Sequence, residues 1–196
     1  MTKIRLGILA SGRGSNFGAI VRAIREGRLA AEARLLVCDK PEAGALEIAR
    51  EAGIQSKVIE RKDFSSRDEF ESAIANALKD RGVEWVALAG FMRVLHKPML
   101  IEFAGRVLNI HPSLLPAFPG LEAQRQALEH GVKISGCTVH FVDDGVDTGP
   151  IIAQRAVEVK DDDTPETLAA RILEQEHDLY WRVLQGIAEG RITSKK

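Results

Sequence analysis

The sequence predicts an α/β protein built on a doubly wound, mostly parallel sheet, and three observations carry that reading. Short strands alternate with amphipathic helices through the first half of the chain, as successive right-handed crossovers require. Those strands are nearly all apolar, as strands covered on both faces are. Past residue 134 the pattern changes to two strands of mixed character joined by a Gly-rich link, followed by one long helix. The second half therefore adds a β-hairpin and a closing helix to the sheet. At 196 residues the chain fits a single domain spanning 1–196.

In chain order, KIRLGILA is the first strand, and NFGAIVRAIREG after it has helical spacing with Gly27 as its stop. ARLLVCD is the second strand, AGALEIAREAG a helix, SKVIE the third strand and SRDEFESAIANALKDRG a helix. WVALAG and RVLNI complete the buried parallel series. SGCTVHFVDD and PIIAQRAVEV form the hairpin. DDDTPETLAARILEQEHDLYWRVLQGIAEGR then reads as one helix, with Thr164 as N-cap, Pro165 at the first helical position and Glu166 near the positive end of the dipole. Only the terminal TSKK reads as loose.

Hydrophobic residues make up 45% of the chain and charged residues 28%, a globular balance that points away from disorder and from a fibrous chain. With a net charge of −1 the protein has no overall field for nucleic acid or membrane. An anionic ligand must be held by a local arrangement of donors. Cys38 and Cys137 lie in apolar strand-like runs, which predicts buried reduced thiols. His96, His111, His130, His140 and His177 show no H-x3-H spacing and the cysteines no C-x2-C, so no metal site is expected. The start MTKIRLGILA lacks a signal peptide's apolar length and no run is long enough to span a bilayer, so the cytoplasm is the expected compartment.

Two segments carry chemistry. In ILASGRGSNFGAI a strand enters Ser11-Gly12-Arg13-Gly14-Ser15-Asn16 and a helix leaves, so free N–H groups at the helix start can cradle a phosphate. A dinucleotide loop would follow G-x-G-x-x-G, but the third glycine falls one place late at Gly18. Asp39 after the second strand leaves a dinucleotide reading open through its capacity to hold a ribose. A tight turn with no ligand is the bland alternative. Ser15 and Asn16 favour a single phosphate, because their side chains add donors. In LNIHPSLLPAFPG, His111 ends a strand before Pro112, which pushes it toward extended geometry. Asn109 lies two residues earlier and shares its face. An amide NH2 and a protonated imidazole aimed at one point form an oxyanion site for acyl transfer. An imidazole stays protonated near neutral pH with a carboxylate beside it, and HFVDDGVDTGP offers Asp143, Asp144 and Asp147.

SGRGSN, AGFMRVL, NIHPSLLPAFPG, HFVDDGVDTGP and QEH, in this order, closely resemble the glycinamide ribonucleotide formyltransferases, folate-dependent enzymes of purine biosynthesis. The resemblance covers nearly the whole chain and implies their Rossmann-like fold. Its N-terminal half, about 1–105, would bind phosphate, and its C-terminal half, about 106–190, would be catalytic and folate-binding. It implies that Asn109 and His111 bind the formyl oxygen and that Asp147 keeps His111 charged. Gly12, Arg13, Gly14, Ser15 and Asn16 would hold the ribonucleotide at its phosphate, with Glu176 at the glycinamide end. The folate site would comprise Met92, Arg93, Val94, Leu95 and Asn109, the pterin would meet the backbone of Asp143, Asp144, Gly145, Val146 and Asp147, and Arg67 would stand near the glutamate tail. One departure is Gln124, where many relatives carry a histidine.

The implied reaction is direct transfer of the formyl group of 10-formyltetrahydrofolate to the ribonucleotide amine, without an enzyme nucleophile or metal. The implied partners are those two small molecules, with no nucleic acid and no membrane, in a monomer or homodimer. A formylfolate hydrolase and a methionyl-tRNA formyltransferase are related alternatives that usually carry an additional domain. A non-enzymatic nucleotide-binding module would have no use for the Asn109, His111 and acid-loop combination.

Overall fold

Seven strands make one sheet in residues 3–194, which the computed structural model describes. They are β1 (Ile4–Ala10), β2 (Ala31–Cys38), β3 (Ser56–Val58), β4 (Trp85–Leu88), β5 (Val107–His111), β6 (Ile134–Phe141) and β7 (Ile151–Glu158). Their spatial order is β3-β2-β1-β4-β5-β6-β7, so the chain winds outward to β3 and then crosses back to the other side of β1. The first five strands are parallel, and β6 and β7 are antiparallel additions at the edge. This is the doubly wound sheet with a C-terminal hairpin that the sequence predicts. The expected loose TSKK end falls partly on Lys195 and Lys196, outside the described residues, as do Met1 and Thr2.

Helices α1 (Ser15–Arg25), α2 (Ala45–Ala52) and α6 (Pro165–Ala188) cover one face of the sheet, with α5 (Ala123–Glu129) against α6. Helices α3 (Arg67–Asp80) and α4 (Lys97–Glu102) cover the other. The pleat of β1 serves both layers: Leu6, Ile8 and Ala10 enter the first core, and Leu9 enters the second. Cys38 and Cys137 are buried, as expected. Helix α6 starts as predicted, with Thr164 and Thr167 each accepting the other's backbone N–H at 3.3 and 2.9 Å, respectively.

Three features depart from the sequence reading. β3 is exposed at all three residues, because it is the sheet edge and not a covered strand. A 3-10 turn at Arg61–Asp63 and helices α4 and α5 were not expected. With six and seven residues, respectively, these helices are too short to display a repeat on one face.

The fully buried Tyr180 ties α6 to the strands that lead into the crevice. Its hydroxyl lies 3.0 Å from the carbonyls of both Leu88 in β4 and Leu108 in β5, sharing one proton between them. Tyr180→Phe leaves those carbonyls short of a donor inside the core. The variant is expected to lose about 1 to 2 kcal/mol in urea denaturation with an unchanged slope.

Candidate active site

The order of the sheet reverses between β1 and β4, and a crevice opens there outside the carboxyl ends of the parallel strands. The loops after β1, β4 and β5 meet at it. Within β5 the pleat sends Leu108 and Ile110 into the core under α6 and turns Asn109 and His111 to the opposite face. Register then adds a third side chain. His140 of β6 pairs directly with Asn109, and its Nε2 lies 3.3 Å from the Asn109 amide nitrogen.

Asp147, in the turn between β6 and β7, gathers these groups. Its Oδ2 lies 3.2 Å from His111 Nδ1 and accepts the Gly120 N–H at 2.9 Å. Its Oδ1 accepts from Asn109 Nδ2 at 3.4 Å and stands 3.5 Å from His140 Nε2. Burial pushes the carboxyl up, but hydrogen bonds from His140 and the Gly120 N–H, with His111 adjacent, outweigh it and hold Asp147 below the usual carboxylate range. The other nitrogen of His111, Nε2, lies 2.8 Å from the Phe118 carbonyl oxygen. An imidazole protonated on both nitrogens satisfies both acceptors.

The segment that follows His111 is fixed by side chains. Ser113 donates to the Ala117 carbonyl at 2.5 Å, while Thr138 of β6 donates to the Ser113 carbonyl at 2.7 Å and accepts the Leu115 N–H at 3.0 Å. Gln154 of β7 donates to the Leu115 carbonyl at 2.9 Å. Among the described residues, the non-glycine positions with positive φ are Phe118, Glu122 and Asp147, at 55, 57 and 56°. All three belong to this site, where the surrounding bonds hold a backbone that is costly elsewhere.

Asn109, His111, His140 and Asp147 face a cavity of about 400 Å³, walled by Gly90–Leu95 on one side and Val142, Asp143, Gly145 and Val146 on the other. The wall after β4 is joined to the glycine loop, since the Met92 N–H donates to Ser11 Oγ at 2.9 Å and the Ser11 N–H donates to the Gly90 carbonyl at 3.0 Å.

Helix α1 begins at Gly14, which caps it at φ 77° without any side-chain bond, so the first-turn N–H groups have no side-chain cap and can meet an anion. The two glycines serve different ends. A Cβ on Gly12 would meet nothing within 4 Å, whereas one on Gly14 would lie 2.6 Å from the Ala45 Cβ and 2.7 Å from its Cα. The space at Gly12 is thus open, and Gly14 is demanded by packing against α2. The Asn16 amide turns inward and donates to Glu176 of α6 at 2.8 Å. Glu176 is 6% exposed, and burial, opposed by the Asn16 bond, pushes its carboxyl up to about 7. Asp39, the residue a dinucleotide ribose would need, is buried and held by Arg93 Nε at 2.5 Å. That removes the support for a dinucleotide site.

The formyl transferase model matches residues 4–184. The chain belongs to the formyl transferase family. Phosphoribosylglycinamide formyltransferase of Bacillus subtilis (strain 168) is 48% identical over 181 residues, spanning 92% of this chain and 93% of that protein. The crystal structure of glycinamide ribonucleotide transformylase 1 from Symbiobacterium toebii matches with a TM-score of 0.97 at 51% identity, covering 98% of this chain and 91% of that one. The trifunctional purine biosynthetic protein adenosine-3 of Drosophila melanogaster is 47% identical over 95% of this chain, which spans 14% of that protein's length.

In this formyl transferase the structure brings Asn109, His111 and Asp147 together, and Met92, Arg93, Val94, Leu95, Asp143, Gly145 and Val146 around the same cavity. Ser15 and exposed Arg13 stand at the start of α1. Two expected folate-site residues are not in the cavity lining. Arg67 lies on α3, its guanidinium against His96 Nε2, and Asp144 is exposed on the turn. Sequence reasoning missed His140, Gly120 and Phe118. His140 sits inside an apolar strand and resembles a core residue, and the other two act through backbone atoms.

Two outcomes follow from this geometry. Gly14→Ala is expected to cost roughly 2 kcal/mol or more, from the clash and the left-handed backbone, while Gly12→Ala changes stability by less than about 0.5 kcal/mol in urea. Glu176 binds a proton in the folded chain up to a pH near 7, whereas its unfolded value is 4.5. Its raised value favours the folded state below pH 4.5, and that advantage is lost as pH rises toward 7. Parent stability relative to Glu176→Gln should therefore fall across that window by at most about 3 kcal/mol, measured by denaturation at each pH.

Proposed function

We propose that the protein transfers the formyl group of 10-formyltetrahydrofolate to the amine of glycinamide ribonucleotide, giving formylglycinamide ribonucleotide and tetrahydrofolate. The observation that carries this reading is the Asn109–His111–Asp147 constellation at one end of a largely apolar cavity whose wall is bonded to an anion-ready helix start. The cavity takes the flat pterin between the Gly90–Leu95 wall and the Val142–Asp147 turn. The phosphate takes the open approach at Gly12 and the N–H groups of α1. The names of the relatives supply the same acceptor.

The substrate amine is the nucleophile and attacks the formyl carbon. Negative charge develops on the formyl oxygen, where the Asn109 amide and His111 imidazole donate to it. His111 Nε2 reaches that oxygen by exchanging its bond to the Phe118 carbonyl. Collapse breaks the bond to the folate nitrogen, which gains a proton as the amine loses one. Asp147 is too acidic to be an efficient base at neutral pH, so it acts by orienting His111 and balancing its charge. Holding both substrates against each other supplies much of the rate.

Purified protein should form formylglycinamide ribonucleotide from the two substrates and release no formate when water is the sole acceptor. Formate release at a comparable rate would favour the hydrolase. Within the reaction, Asp147→Asn should lower kcat about a hundredfold or more with much smaller changes in KM, and should add little once His111→Ala is present. Fully multiplicative losses in that double-mutant cycle would make Asp147 an independent catalyst.

A further inference from the structure

We propose that Glu71, on α3 and outside the cavity, is a positioning residue for the folate site: its carboxylate fixes the Gly90–Leu95 wall by holding the backbone N–H of His96. This rests on the reading that the cavity receives formylfolate.

Glu71 is 1% exposed, in a layer otherwise built from Phe70, Ile74, Leu78 and Leu95. Its Oε2 accepts the His96 N–H at 2.8 Å, and the Met99 N–H bears on the same carboxyl. His96 is the N-cap of α4, and its side chain forms no capping bond. Glu71 therefore supplies from a neighbouring helix the acceptor that α4 lacks. Its Oε1 is buried with no partner among the described residues. A carboxyl placed this way costs more as helix filling than an apolar side chain of the same volume would.

What the carboxylate holds is one end of the cavity wall. Between β4 and α4 the chain runs without helix or strand from Ala89 to His96. Its Met92 N–H is taken by Ser11 Oγ at the near end, and its His96 N–H by Glu71 at the far end. Phe91, just before the first anchor, and Leu95, just before the second, are buried against the α3 layer, while Met92, Arg93 and Val94 are exposed along the cavity. Glu71 is absent from that lining, so it reaches the folate site through the backbone it holds. The acceptor oxygen is what matters, since the bond needs no charge. The glycine loop has a further anchor of its own, the Ala45 N–H donating to the Gly12 carbonyl at 3.1 Å.

Steady-state kinetics of Glu71→Met and Glu71→Gln against both substrates test this. Glu71→Met keeps the volume and removes the acceptor, and its KM for formylfolate should rise roughly tenfold, as leaving a buried backbone N–H unsatisfied predicts. The KM for the ribonucleotide should stay within about twofold and Glu71→Gln within about threefold of the parent in both. Unchanged folate KM in Glu71→Met, or equal rises in both KM values, overturns the proposal. Val146→Asp, inside the cavity, separates the two readings. If it leaves formylfolate binding intact, the cavity assignment fails and this proposal with it; if it abolishes binding while Glu71→Met does not weaken it, only the Glu71 role fails. Should Glu71→Met not fold, amide exchange in the ligand-free parent decides: slower exchange at His96 than at Val94 supports the clamp, and equal rates overturn it.

Discussion

The Asp147 carboxylate is bonded or close to four groups from three parts of the chain: Asn109 and His111 of β5, His140 of β6 and the Gly120 N–H beyond the proline segment. Without it, Asn109, His111 and His140 would be three polar side chains on a pleated face with no common reference. Its backbone is left-handed at φ 56°, and that conformation aims the carboxylate back toward β5 from a turn after β6. The antiparallel hairpin thus completes the cluster, because it returns an acid to strands that a parallel series alone would leave unpartnered. The same carboxylate fixes one face of the imidazole while the Phe118 carbonyl fixes the other, so the ring is oriented from both sides before any substrate is present.

The second organising feature is the shared wall after β4. It lines the cavity with its exposed side chains, touches the glycine loop through Ser11, and buries Phe91 and Leu95 in the α3 layer. Two substrates that must meet at one carbon are thereby referred to one stretch of backbone. Proximity in such a site depends on how stiff that stretch is, which makes its anchors as important as its lining.

Much of this was legible in the sequence, for identifiable reasons. The alternation of short apolar strands with helices follows from burial on both faces, and the pairing of Asn109 with His111 follows from the two-residue pleat and from Pro112. The Thr164 cap was equally readable, because capping is a local bond between near neighbours. What escaped was set by tertiary contact. The exposure of β3 depends on its place at the sheet edge, the partner of Asn16 lies 160 residues away, and the role of Gly14 depends on a helix that follows β2. His140 becomes a site residue through cross-strand register alone, and Glu71 looks like any charged position of an amphipathic helix until its burial is known.

The contact between Gly14 and Ala45 carries a constraint of another kind. With Ala45 Cα 2.7 Å from where a Cβ would stand on Gly14, position 14 has no room for a side chain unless α2 moves. The two behave as one steric unit, a lock-step pair separated along the chain but joined in volume. Sequence variation that preserves the fold should therefore keep position 14 free of a side chain, and a redesign of α2 that never approaches a ligand would still reshape the glycine turn before α1.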